Sequence, residues 1–174
     1  MRLILAIDPG PEQSGWVRYL DGAILGAGVA DNADVLAMVK RDAVADVLAI
    51  EMIASYGMPV GATVFDTCVW IGRYSQAWRN PGQAMLIFRR TVKLHLCGTV
   101  QAKDGNVKQA LLDIIGPQGK KKAPGPTYGV STHAWAALGV AVTAESILKT
   151  HVMVPPRDER GDQDSRVANG VCDG

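Results

Sequence analysis

The chain has 174 residues, 48% of them apolar and 20% charged, with a formal net charge of +1. That suits one soluble domain whose core buries about 70% of the unfolded surface. No apolar stretch approaches the roughly 20 residues of a bilayer span, and a lone Arg2 before a short apolar run does not make a signal peptide, so neither a membrane nor a secretory role is expected. Cys68, Cys97 and Cys172 form no C-x-x-C pair, which argues against a disulfide framework or structural zinc and fits a reducing cytoplasm.

Residues 3–8 are a short apolar run closed by Pro9-Gly10, which predicts a buried first strand ending on Asp8. Residues 15–20 predict a second strand, and Asp21-Gly22 a hairpin turn into a third over residues 23–29. Asp31 or Asn32 caps a predicted helix with an apolar face of Val35, Met38, Val39 and Ala43. Residues 47–51 then repeat the pattern of the first strand and end on Glu51. After a loop broken by Gly57 and Pro59, residues 62–78 predict a helix apolar almost all round, placing it at the centre or at a subunit interface.

Beyond the turn at Asn80-Pro81-Gly82, residues 84–88 predict a strand and residues 89–96 a short helix stopped by Gly98. Residues 106–115 predict a longer helix, capped by Asp104 and stopped by Gly116-Pro117. Residues 117–129 are rich in Gly, Pro and Lys, a composition expected to stay mobile unless an anion orders it. Ser131 or Thr132 caps a last helix running to about residue 149. A domain of residues 1–152 and a disordered tail over residues 153–174 complete the expected organisation.

Two carboxylates at the ends of buried strands need a cation, a donor network or a neutralising proton, because burying an unpaired carboxylate costs several kcal/mol or more. A shared divalent metal site is the simplest common purpose for Asp8 and Glu51. His133, in the first turn of the last helix, is the third candidate ligand, and such a mixed set accepts magnesium or, more readily, manganese. Charge is unevenly spread: residues 79–122 hold nine Lys/Arg against Asp104 and Asp113, whereas the first 78 residues hold nine acids against five bases. A basic segment beside an acidic metal site fits a polyanion that must approach metal. Lys93, Lys103 and Lys108 are the expected phosphate contacts, with Lys120, Lys121 and Lys122 as a further grip. Tyr56 and Met58, in the loop after Glu51, are candidates to wedge against unstacked bases.

These residues, in order, resemble the RuvC-like Holliday junction resolvases, most closely their phage-encoded branch. The resemblance covers roughly residues 3–144 and rests on four motifs: Ile7-Asp8-Pro9-Gly10 with Ser14-Gly15-Trp16; Ala49-Ile50-Glu51; Val92-Lys93 through Gly98, Ala102 and Val107; and His133-Ala134-Trp135-Ala136-Ala137-Leu138. It implies a ribonuclease H-like α/β fold, a mixed five-stranded sheet of antiparallel meander and parallel strands flanked by helices. It also implies a homodimer that cuts four-way DNA junctions in the cytoplasm, the host's if the chain is phage-encoded, with two Mg2+ ions per site for which Mn2+ substitutes. By position, Asp8 would bridge both ions, Glu51 bind the one near the leaving group, and His133 the one carrying the attacking water. Cellular members carry a further acid one helical turn after the third ligand, where this chain has Ala136, so weaker metal affinity is expected. The alternatives are a catalytically weakened structure-specific DNA-binding protein and an actin-like phosphotransferase fragment, since Asp8-Pro9-Gly10 also suits a phosphate loop.

Overall fold

The computed structural model describes residues 1–153 except 56 and 58. The tail expected beyond residue 153, and the wedge candidates Tyr56 and Met58, therefore lie outside the described residues. The first half builds β1 (Ile4–Asp8), β2 (Gln13–Leu20), β3 (Ala23–Asp31), α1 (Asn32–Arg41) and β4 (Val47–Met52). The second half adds α2 (Ala62–Ala77), β5 (Met85–Phe88), α3 (Arg89–Cys97), α4 (Asp104–Ile115), the two-residue strands β6 (Gly119–Lys120) and β7 (Ala123–Pro124), and α5 (Thr132–Met153). The five main strands form one sheet in the order β3-β2-β1-β4-β5. The β1–β2 and β2–β3 pairs are antiparallel, whereas β1–β4 and β4–β5 are parallel. This is the mixed ribonuclease H-like architecture expected from the sequence.

Side chains alternate between the two faces of a strand, and that alternation sorts the core into two layers. Leu3, Leu5, Ile7, Leu48 and Ile50 pack under α1 and α2 against Val35, Val39, Ile71, Tyr74 and Trp78. Ile4, Ala6 and Ala49 face the other way, under α5, with Val92 of α3 and Val107 and Leu111 of α4. The most central helix is α5, where Ala134, Ala137, Leu138, Val140, Ala141 and Ala144 are all buried. Its small residues permit close approach, and a Cβ at Gly139 would sit 3.0 Å from a Val92 methyl. Among the described residues, no helix is long and apolar enough to cross a membrane.

Several expected boundaries move for identifiable reasons. Helix α1 ends at Arg41 rather than Ala43, because the Asp42 carboxylate accepts the backbone N–H groups of Val44 and Ala45 and turns the chain toward β4. Its N-cap residue, Asp31, makes no side-chain cap; the carboxylate accepts from Gln13 Nε2 instead. Helix α4 starts at Asp104, with Lys103 at the N-cap position, so Asp104 belongs to the first turn and is not the cap. Helix α2 is not the central helix. It buries Thr67, Ile71 and Tyr74 and leaves Phe65 60% and Val69 51% exposed.

The loop expected to be mobile carries instead the β6–β7 hairpin, with Lys121 and Lys122 at its tip. Its base is closed by Gly125 N–H donating to Gln118 O at 2.9 Å, Gln118 Nε2 to Val130 O at 3.0 Å and Thr127 Oγ1 to Gly116 O at 3.0 Å. A side chain at Gly125 would overlap the Pro117 backbone, which makes glycine obligatory there.

Candidate active site at the carboxyl edge of the sheet

Ligand sites in open α/β sheets form beyond the carboxyl ends of the strands. Here three adjacent strands deliver charge to that edge on one face. The β1–β4 register runs Ile4↔Val47 to Ile7↔Ile50, so the next residues in it are Asp8 and Glu51. They share the face of Ala6 and Ala49, the one under α5, about one strand spacing of 4.8 Å apart. On the far side of β4, Glu51 pairs with Ile87, and Arg89 follows two residues later on the same face, at the first position of α3.

His133 reaches this row from the start of α5, and Gly15 is what lets it come near. Gly15 lies opposite Asp8 in β2, and a Cβ there would overlap the His133 carbonyl. Thr132, immediately before it, has φ 32°, a left-handed conformation that a β-branched residue seldom adopts and that costs about 1–3 kcal/mol. The chain is bent to present the imidazole, whose Nδ1 lies 3.2 Å from Asp8 Oδ2. A neutral ring that donates its Nδ1–H to the carboxylate keeps a lone pair on Nε2.

The electrostatics follow from burial. Glu51 is buried, and desolvation together with the neighbouring Asp8 charge pushes its carboxyl from an ordinary value of 4.5 to about 7, against the pull of Arg89. Asp8 is raised as well, mainly by burial, with His133 opposing the rise. Arg89 divides its guanidinium, Nη1 lying 3.3 Å from Glu51 Oε2 and Nη2 2.8 Å from Asp104 Oδ1. Asp104, 77% exposed at its side chain, is held below the usual carboxylate range by that hydrogen bond. Lys93 Nζ is 3.8 Å from the same Asp104 oxygen.

Asp8, Glu51, Arg89, Asp104, Lys108 and His133 all line one cleft of about 610 Å³, whose wall also includes Ala136. Lys108 Nζ lies 4.9 Å from the centre of the Trp135 ring, a cation–π contact that orients the amine. Of the candidates named from sequence, the structure gathers Asp8, Glu51, His133 and Lys108, with Lys93 joined to them through Asp104. Lys103 lines a separate hollow at the α3–α4 turn, and Lys120 to Lys122 sit on the β6–β7 hairpin. Arg89 and Asp104 went unassigned as site residues. The available signal was the position of Arg89 directly after an apolar strand parallel to the one ending in Glu51.

A buried carboxylate, a half-buried one and an imidazole are hard and borderline donors of the kind that hold Mg2+ or Mn2+. Both carboxylates are raised by burial, as expected of groups whose natural partner is a cation, so the donor chemistry fits a divalent ion. As the side chains stand, no three His, Cys, Asp or Glu groups among the described residues converge on one point that would hold an ion. Asp8 instead leans on His133 and Glu51 on Arg89.

No protein-family model matches the chain, and no curated protein matches it. Among solved structures, it is similar to Thermus thermophilus RuvC, with a TM-score of 0.63 and 21% identity over 86% of this chain and 96% of that one. It is also similar to T. thermophilus RuvC in complex with a Holliday junction substrate, with a TM-score of 0.65 and 20% identity over 87% and 97% of the two chains. At such identity the likeness establishes a RuvC-like fold.

Proposed function

We propose that the chain is a structure-specific endonuclease that hydrolyses phosphodiesters in Holliday junctions or related branched DNA, using divalent cations. The observation that carries this reading is the pairing of Asp8 and Glu51 in one register and on one face, with His133 brought against Asp8. The similar fold of a RuvC seen with a Holliday junction substrate supports the choice of DNA substrate. We assign Mg2+ as the cofactor, with Mn2+ substituting, and two ions per site held by Asp8, Glu51 and His133.

Bound ions would supply an activated water and neutralise charge on the phosphate and leaving oxygen. The residues of the chain do the rest. Asp8 and Glu51 would serve as the anionic anchors, and the hydrogen bond between His133 and Asp8 fixes the exposed imidazole at the cleft mouth. Lys108 faces the same cleft as a phosphate contact, steered by Trp135. Lys93, Lys103 and the Lys120-Lys121-Lys122 hairpin extend a basic track for the arms, the hairpin as a pre-shaped prong.

A homodimer completes the reading, since a two-fold assembly presents two sites to a two-fold junction. The exposed Phe65 and Val69 of α2 are the apolar contact it would use, joined on the same face of the sheet by exposed Leu86 and Phe88. Placement in the phage-encoded branch, with action in a host cytoplasm, rests on Ala136 standing where cellular members have an acid.

The test is cleavage of a synthetic four-way junction with Mg2+, against a linear duplex of the same sequences. Symmetrical nicks confined to the junction are expected. Junction binding without cleavage in Mg2+ or Mn2+ would demote the chain to a structure-specific DNA-binding protein.

A further inference from the structure

We propose that Arg89 is a further functional residue of this site: its guanidinium neutralises Glu51 until a divalent cation takes that carboxylate, and Asp104 then retains it at the cleft wall as a contact for the substrate phosphate. This goes one step beyond the nuclease reading and rests on it for the identity of the phosphate.

The geometry is asymmetric in the way such an exchange requires. A charge-assisted N–H···O contact is strong at about 2.7–2.9 Å and weakens beyond. The Arg89 contact to Asp104 falls inside that range at 2.8 Å, whereas the contact to Glu51, at 3.3 Å, does not. Arg89 is thus anchored on the exposed acid and only leans on the buried one. Glu51 can exchange it for another cation without leaving an unpaired charge behind, and the guanidinium gives up only its longer contact.

Backbone position keeps the group from leaving. Arg89 is the first residue of α3, Asp104 the first of α4, and Val92 and Val107 behind them are buried in the core under α5. Lys93, one turn further along α3, pairs with the same Asp104 oxygen. Once released by Glu51, the outer edge of the guanidinium faces the cleft shared with Asp8, His133 and Lys108. A planar fork suits two oxygens of a phosphate, which a lysine in the same place would serve less well. In this scheme Asp104 is a positioning residue, acting only through Arg89.

The test is Mn2+ titration of the full-length protein without DNA, followed by the signal of free Mn2+, with junction cleavage at saturating Mn2+ as a second readout. Asp104→Asn should weaken Mn2+ binding about tenfold, the scale of outer-shell effects, because an unanchored Arg89 competes harder for Glu51. Arg89→Gln should bind Mn2+ at least as tightly as wild type, yet cleave about a hundredfold more slowly, the scale on which a lost phosphate donor is felt. In the double variant Asp104→Asn should have no remaining effect on Mn2+ binding.

A tenfold loss from Asp104→Asn that persists in the Arg89→Gln background would make Asp104 a ligand in its own right and overturn the proposal, as would weaker Mn2+ binding in Arg89→Gln alone. Wild-type protein that binds Mn2+ with this pattern but cuts no junction would overturn the nuclease reading while leaving the exchange at Glu51 intact. Wild-type protein that binds no Mn2+ would overturn both.

Discussion

Two polar clusters flank β1 and β2, and they are built on opposite logic. On the α2 side, Ser14 Oγ donates to Asn32 Oδ1 at 2.6 Å, and Tyr74 OH donates to the same oxygen at 3.0 Å. Asn32 Nδ2 donates to Gly10 O at 3.0 Å and its backbone N–H to Glu12 O at 3.0 Å. All three side chains are neutral and fully enclosed, and they clamp the loop that follows Asp8. On the α5 side, Asp8 and Glu51 are ionisable groups at an open cleft, with raised pKa values and His133 and Arg89 as their neighbours. A closed, neutral network holds a fold together; an open, charged one stores a demand that a ligand satisfies.

The largest expected contrast comes from substitutions at the cleft. Asp8→Asn or Glu51→Gln should lower metal-dependent junction cleavage by about 10³-fold or more, through loss of a metal anchor. Melting of the metal-free protein should be unchanged or raised, because each change removes a buried charge. The reverse pattern is expected of Asn32→Ala, which strands the Gly10 carbonyl and takes from Ser14 and Tyr74 the oxygen they share. Stability should fall by about 3 kcal/mol in denaturant titration, with cleavage per folded molecule kept within about tenfold. If Asn32→Ala abolished cleavage at full stability, the division between the two clusters would fail.

The clusters should also part in their response to pH. Glu51 holds its proton to about 7 in the folded protein, against an ordinary value of 4.5. A group with a raised folded pKa contributes stability that is present below its unfolded value and lost as pH rises through the folded one. Metal-free protein should therefore lose up to about 3 kcal/mol between pH 4.5 and pH 8, and the loss should vanish with Glu51→Gln or added Mn2+. Tyr74, pushed up to about 12 by burial, leaves the neutral cluster silent over that range. A smaller effect is expected from Ala136→Asp, which adds a carboxylate to the cleft wall: Mn2+ affinity should rise about tenfold in the same titration.

Much of this was legible in the chain. Short apolar runs closed by Pro9-Gly10 or ending on Glu51 reveal buried strands, because the pattern reflects burial on both faces. Gly98, at φ 69°, marks the end of α3 as expected. The parts that were not legible depend on contacts between distant segments. Gly15 looks like an ordinary strand glycine until α5 is placed on its backbone. Arg89 reads as one more charge of the basic segment and Asp104 as a helix cap because their meaning lies in a shared guanidinium, and Ser14, Asn32 and Tyr74 are polar residues whose closure spans three elements. The apolar composition of α2 does not show how much of it faces water, since that is fixed by which side of the sheet it covers. The hairpin at residues 119–124 was hidden because its locks, Gln118 to Val130, Thr127 to Gly116 and the close approach of Gly125 to Pro117, are polar contacts and glycine packing that leave no apolar pattern.

The most direct measurement is strand cleavage of a four-way junction by wild type and Glu51→Gln, in Mg2+ and in chelator, beside the equivalent linear duplex. Paired nicks at the junction that need both Mg2+ and the Glu51 carboxylate are the predicted result. Cleavage that survives Glu51→Gln, or that degrades the linear duplex equally well, would contradict the account.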